Sequence, residues 1–225
     1  MTQRSDAGSE VESGASATSA SQRPSSSAAA LASEAIAGSG ETSVEQYVRN
    51  LVDAKESVWT QAARVVEEVA NQKPELLAPH IERLVGLLGS DHTRVAQSAA
   101  HCLPILARVA PAKVAKHLKV LQASFAGASE IAKDGLVRTF VALCVASVTY
   151  QKRLIDVFES ALRDADPKQL VAWVEHILPA LKGEPYAQAR AVAEVRVNDP
   201  TLPRANAQRV AELLGVKLRT VPERK

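Results

Sequence analysis

Apolar residues fall at helical spacing along most of this chain. Val44, Tyr47, Val48, Leu51 and Val52 follow the i, i+3, i+4, i+7, i+8 pattern of an amphipathic helix. Ser43 in front of them, with Glu45 and Gln46 in the first turn, reads as the N-cap. Trp59, Ala62, Ala63, Val66 and Val69 mark the inward face of a second helix over residues 58–72. Lys73-Pro74 stops it, and Pro74 opens a helix over 74–88 that Gly89 ends. The stretch 89–121, GSDHTRVAQSAAHCLPILARVAPAKVAKHLKVL, predicts a helix, a break at Ala110-Pro111 and a further helix over 111–126 closed by Gly127. Helices follow over about 129–147, 150–165, 166–181, 185–197 and 203–214, with Gly215 closing the last.

The elements repeat. Pro74 and Pro111 start equivalent helices 37 residues apart. His80-Ile81 matches His117-Leu118 at 37, as Leu84 matches Leu121, and Ile155 and Phe158 fill the same apolar places one cycle later. Gln61 and Gln97 lie 36 apart, and the tetrapeptides starting at His101 and His176 lie 75 apart, close to two periods. Paired helices at a period near 37 are the mark of an α-solenoid. After Lys182-Gly183 the pattern loosens, as a terminal unit that must cover the exposed end of a stack would. The fold expected is all-α: a right-handed α-solenoid of about four helical hairpins over 43–216, with a C-terminal capping helix pair.

Residues 84–106 resemble a HEAT repeat. They combine an apolar first helix (LVGLL), Asp91 after the turn, and Val95, Ala99, Ala100, Leu103 and Leu106 along the second helix. The resemblance extends over about 43–181 and is clearest in this one unit. The basic residue that usually follows the Val appears one place early, as Arg94, with Ala96 in its slot and Lys133 in the matching slot one repeat on. The resemblance to this armadillo-like family implies that second helices line a concave surface and first helices a convex one. Pro104 and Pro179 sit inside second helices, where each removes a backbone hydrogen bond and bends the axis.

Composition agrees with packed helices. Hydrophobic residues make up 46% of the chain but aromatics only 4%, so the core must be Ala, Val and Leu, which favours helices over sheets. Residues 1–42, built mostly of Ser, Ala, Gly, Glu and Thr, predict a disordered tail, within which 28–37 (AAALASEAIA) reads as a slightly helical linker. Arg4 and Arg23 against Asp6, Glu10, Glu12, Glu34 and Glu41 give that tail −3. The whole chain is +2, so the rest carries about +5. Residues 217–225 predict a frayed basic C-terminal tail. No stretch approaches the ~18 apolar residues of a membrane span, and the N-terminus lacks the charged start and apolar run of a signal peptide, so the default is a cytoplasmic protein without membrane attachment.

The chain shows no catalytic constellation: no phosphate loop, no G-x-G-x-x-G turn, no H-E-x-x-H helix, no G-x-S-x-G elbow. Cys102 and Cys144 stand alone in apolar helices and read as inert core thiols. His80 and His117 occupy equivalent places, but no Cys or carboxylate completes a metal ligand set. One HEAT-like family acts as DNA glycosylases, using an acid beside aromatic residues on the concave face. Trp173 with Glu175 is the nearest pairing, and Trp173 reads more simply as core. The expectation is a non-enzyme without cofactor or metal.

Two interaction readings remain. In the first, the chain is a scaffold or adaptor for another protein, bound on the second-helix face by mixed-charge residues, chiefly Arg64, Gln97, His101, Lys133 and Arg138. In the alternative, Lys113, Lys116 and Lys119 form a basic stripe on a first helix and bind nucleic acid through its phosphates, independently of sequence. Their position on the expected convex side favours the first.

Overall fold

A computed structural model describes residues 27–40 and 42–218. The expected termini at 1–26 and 219–225 lie outside the described residues. Among the described residues there are twelve α-helices and no strand. They are α1 (Ala28–Ala37), α2 (Val44–Asn50), α3 (Glu56–Gln72), α4 (Ile81–Gly86), α5 (Thr93–Val109), α6 (Pro111–Ala115), α7 (Leu118–Gly127), α8 (Glu130–Ala146), α9 (Val148–Asp164), α10 (Pro167–Ala180), α11 (Gly183–Val197) and α12 (Arg204–Leu214). Two 3-10 segments, Pro74–His80 and Leu87–Gly89, flank α4.

The helices form two layers. α1, α3, α5, α8, α10 and α12 stack on one another in that order. The other layer is α2, then the Pro74–His80 segment with α4, then α6 with α7, then α9 and α11, each in hairpin with the next second-layer helix. This is an α-solenoid of five hairpins, the fifth being the expected capping pair.

Close stacking in the second layer rests on small side chains. Ala62, Ala63, Ala99, Ala100 and Gly135 are buried along its seams. The α5–α8 seam is tightest: a Cβ built on Gly135 would stand 2.3 Å from the Ala100 carbonyl oxygen. Ser98 Oγ donates to the Ala63 carbonyl at 3.0 Å, satisfying a buried hydroxyl across the α3–α5 seam. Larger groups fill the space between layers, where Phe125, Phe140, Phe158 and Trp173 form a chain of aromatic contacts with centroids 6.3–6.4 Å apart.

Buried Gln151, at the start of α9, ties the ends of two second-layer helices together. Its Nε2 donates to the carbonyls of Cys144 (3.3 Å) and Ala180 (2.9 Å), two of the orphaned acceptors at the C-termini of α8 and α10. Its Oε1 accepts from the Lys182 amide at 3.0 Å. α10 opens with a capping box: Asp166 Oδ1 accepts from the amides of Lys168 and Gln169, and Gln169 Oε1 accepts from the Asp166 amide.

Three expectations change. Residues 28–37, read as linker within the tail, form a helix packed on α3, with Ala32 and Ala35 buried and Ser33 Oγ 3.2 Å from Gln72 Oε1. The large residues of this stretch, Leu31 and Ile36, are only half-buried, and the contact is made by alanines whose small side chains let two helices approach closely. Helix 74–88 is broken at His80 (φ −103°, ψ 9°) and helix 111–126 at His117 (φ −98°, ψ 11°), the same kink 37 residues apart. Val52, expected inward, is 64% exposed, because α2 stops at Asn50 and Val52 belongs to the turn.

Candidate functional site

The 37-residue period carries side chains of one kind to one place in the second-layer helices from α3 to α12. Val66, Leu103, Phe140, Ile177 and Leu214 are spaced at 37 and all buried, the core rung of α3, α5, α8, α10 and α12. Two residues earlier, at the same spacing, Arg64, His101, Arg138, Glu175 and Glu212 are all exposed. On a helix, two residues are some 200° of rotation, so a buried rung dictates an exposed one on the far side. The outer face of the second layer is therefore a ladder of five polar side chains, cationic or imidazole in its first three rungs and acidic in its last two.

Around this ladder the surface is hollowed. Gln97, His101 and Arg138 line one depression of about 250 Å³, floored by Ala100, Pro104 and Gly135 between α5 and α8. A second, of about 340 Å³, lies along α8 between α5 and α10, with Val141, Ala142, Val145 and Ala146 beneath Arg108, Arg138 and His176. Arg108 and Arg138 line both, so the two run together as one groove. Ile131 and Val145, at its ends, are 60% and 73% exposed.

Polar contacts tie the second-layer helices together. Asp134 accepts from Arg138 Nε at 2.8 Å and from Trp173 Nε1 at 3.2 Å, linking α8 to α10. Arg94 pairs with Glu67 across the α3–α5 seam at 2.7 Å. Arg209 of α12 reaches Glu175 and Glu212, each at 3.6 Å, so the acidic end of the ladder is partly compensated.

The five candidate partner residues divide. Gln97, His101 and Arg138 come together in the groove. Arg64 lies one helix earlier, in a broader depression between α1 and α3 that Leu31, Thr60 and Gln61 also line. Lys133 stands apart: its Nζ lies 6.0 Å from the centroid of the Phe125 ring on α7, toward the first layer. Arg108, His176, Val141, Val145 and Glu212 were missed by the sequence reading. The signal that finds Glu212 is strict continuation of the 37 spacing from Arg64.

Lys113, Lys116 and Lys119 are exposed, but not on one helix: Lys113 is in α6, Lys119 in α7, and Lys116 in the break between them. Trp173 is buried while its neighbour Glu175 is exposed, so the two do not share a pocket. Among the described residues no group of three or more His, Cys, Asp and Glu side chains is close enough to hold a metal ion, and no helix is long and apolar enough to cross a membrane. Both thiols are buried. Burial pushes the Cys144 thiol up to about 12, and burial reinforced by the Glu67 charge pushes Cys102 up further.

No family model matches the chain, and no curated protein sequence matches it. Solved structures do. The chain is similar to an engineered protein solved by a structural genomics consortium, with TM-score 0.60 and 20% identity over 84% of each chain. It is also similar to a designed armadillo repeat protein, with TM-score 0.58 and 21% identity over 82% of this chain and 86% of that one. The fold is therefore an armadillo/HEAT-like α-solenoid.

Proposed function

We propose that the protein is a non-catalytic docking scaffold that binds another protein on the exposed face of its second-helix layer. The observation that carries this reading is the coincidence of ladder and groove. Five polar side chains at one register share a face with depressions whose walls include exposed aliphatic residues. A mixed-charge, partly apolar face suits a protein partner, because interfaces combine apolar contact with a polar rim. Arg64, His101 and Arg138 are the rungs such a partner meets first, with Gln97 between them.

The test is a tagged pull-down of the full chain from native lysate, with and without nuclease, quantifying protein and nucleic acid. A defined protein retained after nuclease, and lost from the variant Arg64→Glu/His101→Glu/Arg138→Glu, is the result expected. Nucleic acid recovered instead, with all protein lost on nuclease treatment and binding abolished by Lys113→Glu/Lys116→Glu/Lys119→Glu, would replace this reading with the phosphate-binding one.

A further inference from the structure

We propose that the groove across α5, α8 and α10 takes a short, extended acidic–aliphatic segment of the partner protein. The segment's carboxylate would lie between Arg108 and Arg138, and its aliphatic side chain against Val141 and Val145. This rests on the scaffold reading and specifies the chemistry of the partner.

Charge complementarity selects the segment. The groove holds two arginines and, at its rim, His101 and His176. Its one carboxylate, Asp134, is already engaged by two donors, Arg138 Nε and Trp173 Nε1. Among the described residues Arg108 makes no ion pair. Arg138 pairs with Asp134 through its Nε, which anchors the guanidinium at the groove. Two guanidinium groups flanking one groove suit a carboxylate, because Arg offers a planar fork of donors that matches it.

The floor selects the rest. Val145 is 73% exposed, and Val141, Ala142 and Ala146 continue the apolar surface. Covering such a surface with an aliphatic side chain is favourable because it removes apolar area from water. The groove contains no Phe, Tyr or Trp ring, the larger platforms on which bases stack, and its rings are only the imidazoles of His101 and His176. Three stacked helices at 8–10 Å spacing span roughly 20 Å, the reach of about six extended residues.

The experiment titrates the isotope-labelled full chain with two acetylated hexapeptides of alternating leucine and serine that differ only in a central Glu or Gln, and with an oligothymidine of similar length. The Glu peptide is expected to shift the amide signals of Val141 and Val145 and to bind about tenfold tighter than the Gln peptide, the size of one charge-assisted contact. Arg108→Glu should abolish that preference without changing the thermal midpoint. Equal binding of the two peptides, shifts mapping outside the groove, stronger binding of the oligothymidine, or no shift at millimolar peptide would each overturn the assignment. The partner recovered by pull-down separates this failure from that of the wider reading. If Arg108→Glu leaves its retention intact while Arg64→Glu removes it, the groove assignment falls and the scaffold stands. If neither variant weakens retention, both fall.

Discussion

The two helical layers are built from one repeat, yet they keep it unequally. In the second layer the register holds through the five helices from α3 to α12: the core rung from Val66 to Leu214 stays buried and the outer rung from Arg64 to Glu212 stays exposed. In the first layer Leu84, Leu121 and Phe158 are buried at the same 37 spacing, but the next position, Val195, is 73% exposed. Two first-layer helices are also broken, at His80 and His117, whereas α3, α5 and α8, like α9 of the first layer, run unbroken for 17 residues each. The difference teaches where precision is needed. Second-layer helices touch through Ala, Ser and Gly at near-backbone distance, which tolerates no slip.

The contrast can be broken by substitution. The largest effect is expected from Gly135→Val. A helical glycine replaced by another residue gains up to ~1 kcal/mol of propensity, but a Cβ 2.3 Å from a backbone oxygen forces α5 and α8 apart. Overpacking costs about 3 kcal/mol or more at such a site, so the thermal midpoint should fall by roughly 6–12 °C in calorimetry. Gln151→Leu strikes the joint between layers. It leaves the Cys144 and Ala180 carbonyls and the Lys182 amide without their side-chain partner, for about 1–3 kcal/mol in denaturant titration. Asp166→Ala removes the α10 capping box, for about 1 kcal/mol.

At the small end, Lys113→Glu/Lys116→Glu/Lys119→Glu on the first layer should move stability by under ~0.5 kcal/mol, since all three side chains are exposed and unpaired among the described residues. The thiols sharpen the same contrast chemically. Cys102 and Cys144 both lie in the second layer with raised pKa, so at pH 8 a thiol reagent should modify neither in the native chain and both after unfolding. Rapid native modification of either would mean that the second layer opens.

Much of the architecture is legible in the sequence because the period is. Proline-led starts at Pro74 and Pro111 and matched apolar positions such as Leu84, Leu121 and Phe158 announce stacked hairpins. What the sequence hides has physical reasons. Ala32 and Ala35 carry α1 onto α3, yet alanine in a Ser- and Gly-rich stretch looks like linker. The breaks at His80 and His117 leave the apolar spacing nearly intact, so periodicity passes over them. Of the site, Gln97, His101 and Arg138 were legible as polar residues on second helices. Arg108, Val141, Val145 and His176 were not, because a groove is made by neighbouring helices and one helix's pattern does not reveal it.

The measurement that tests the central claim most directly is amide hydrogen exchange of the full chain with and without the protein partner recovered by pull-down. The account predicts slowed exchange in α5 and α8, with α6 and α7 unchanged. Protection confined to α6 and α7, with α5 and α8 exchanging as in the free chain, would contradict it.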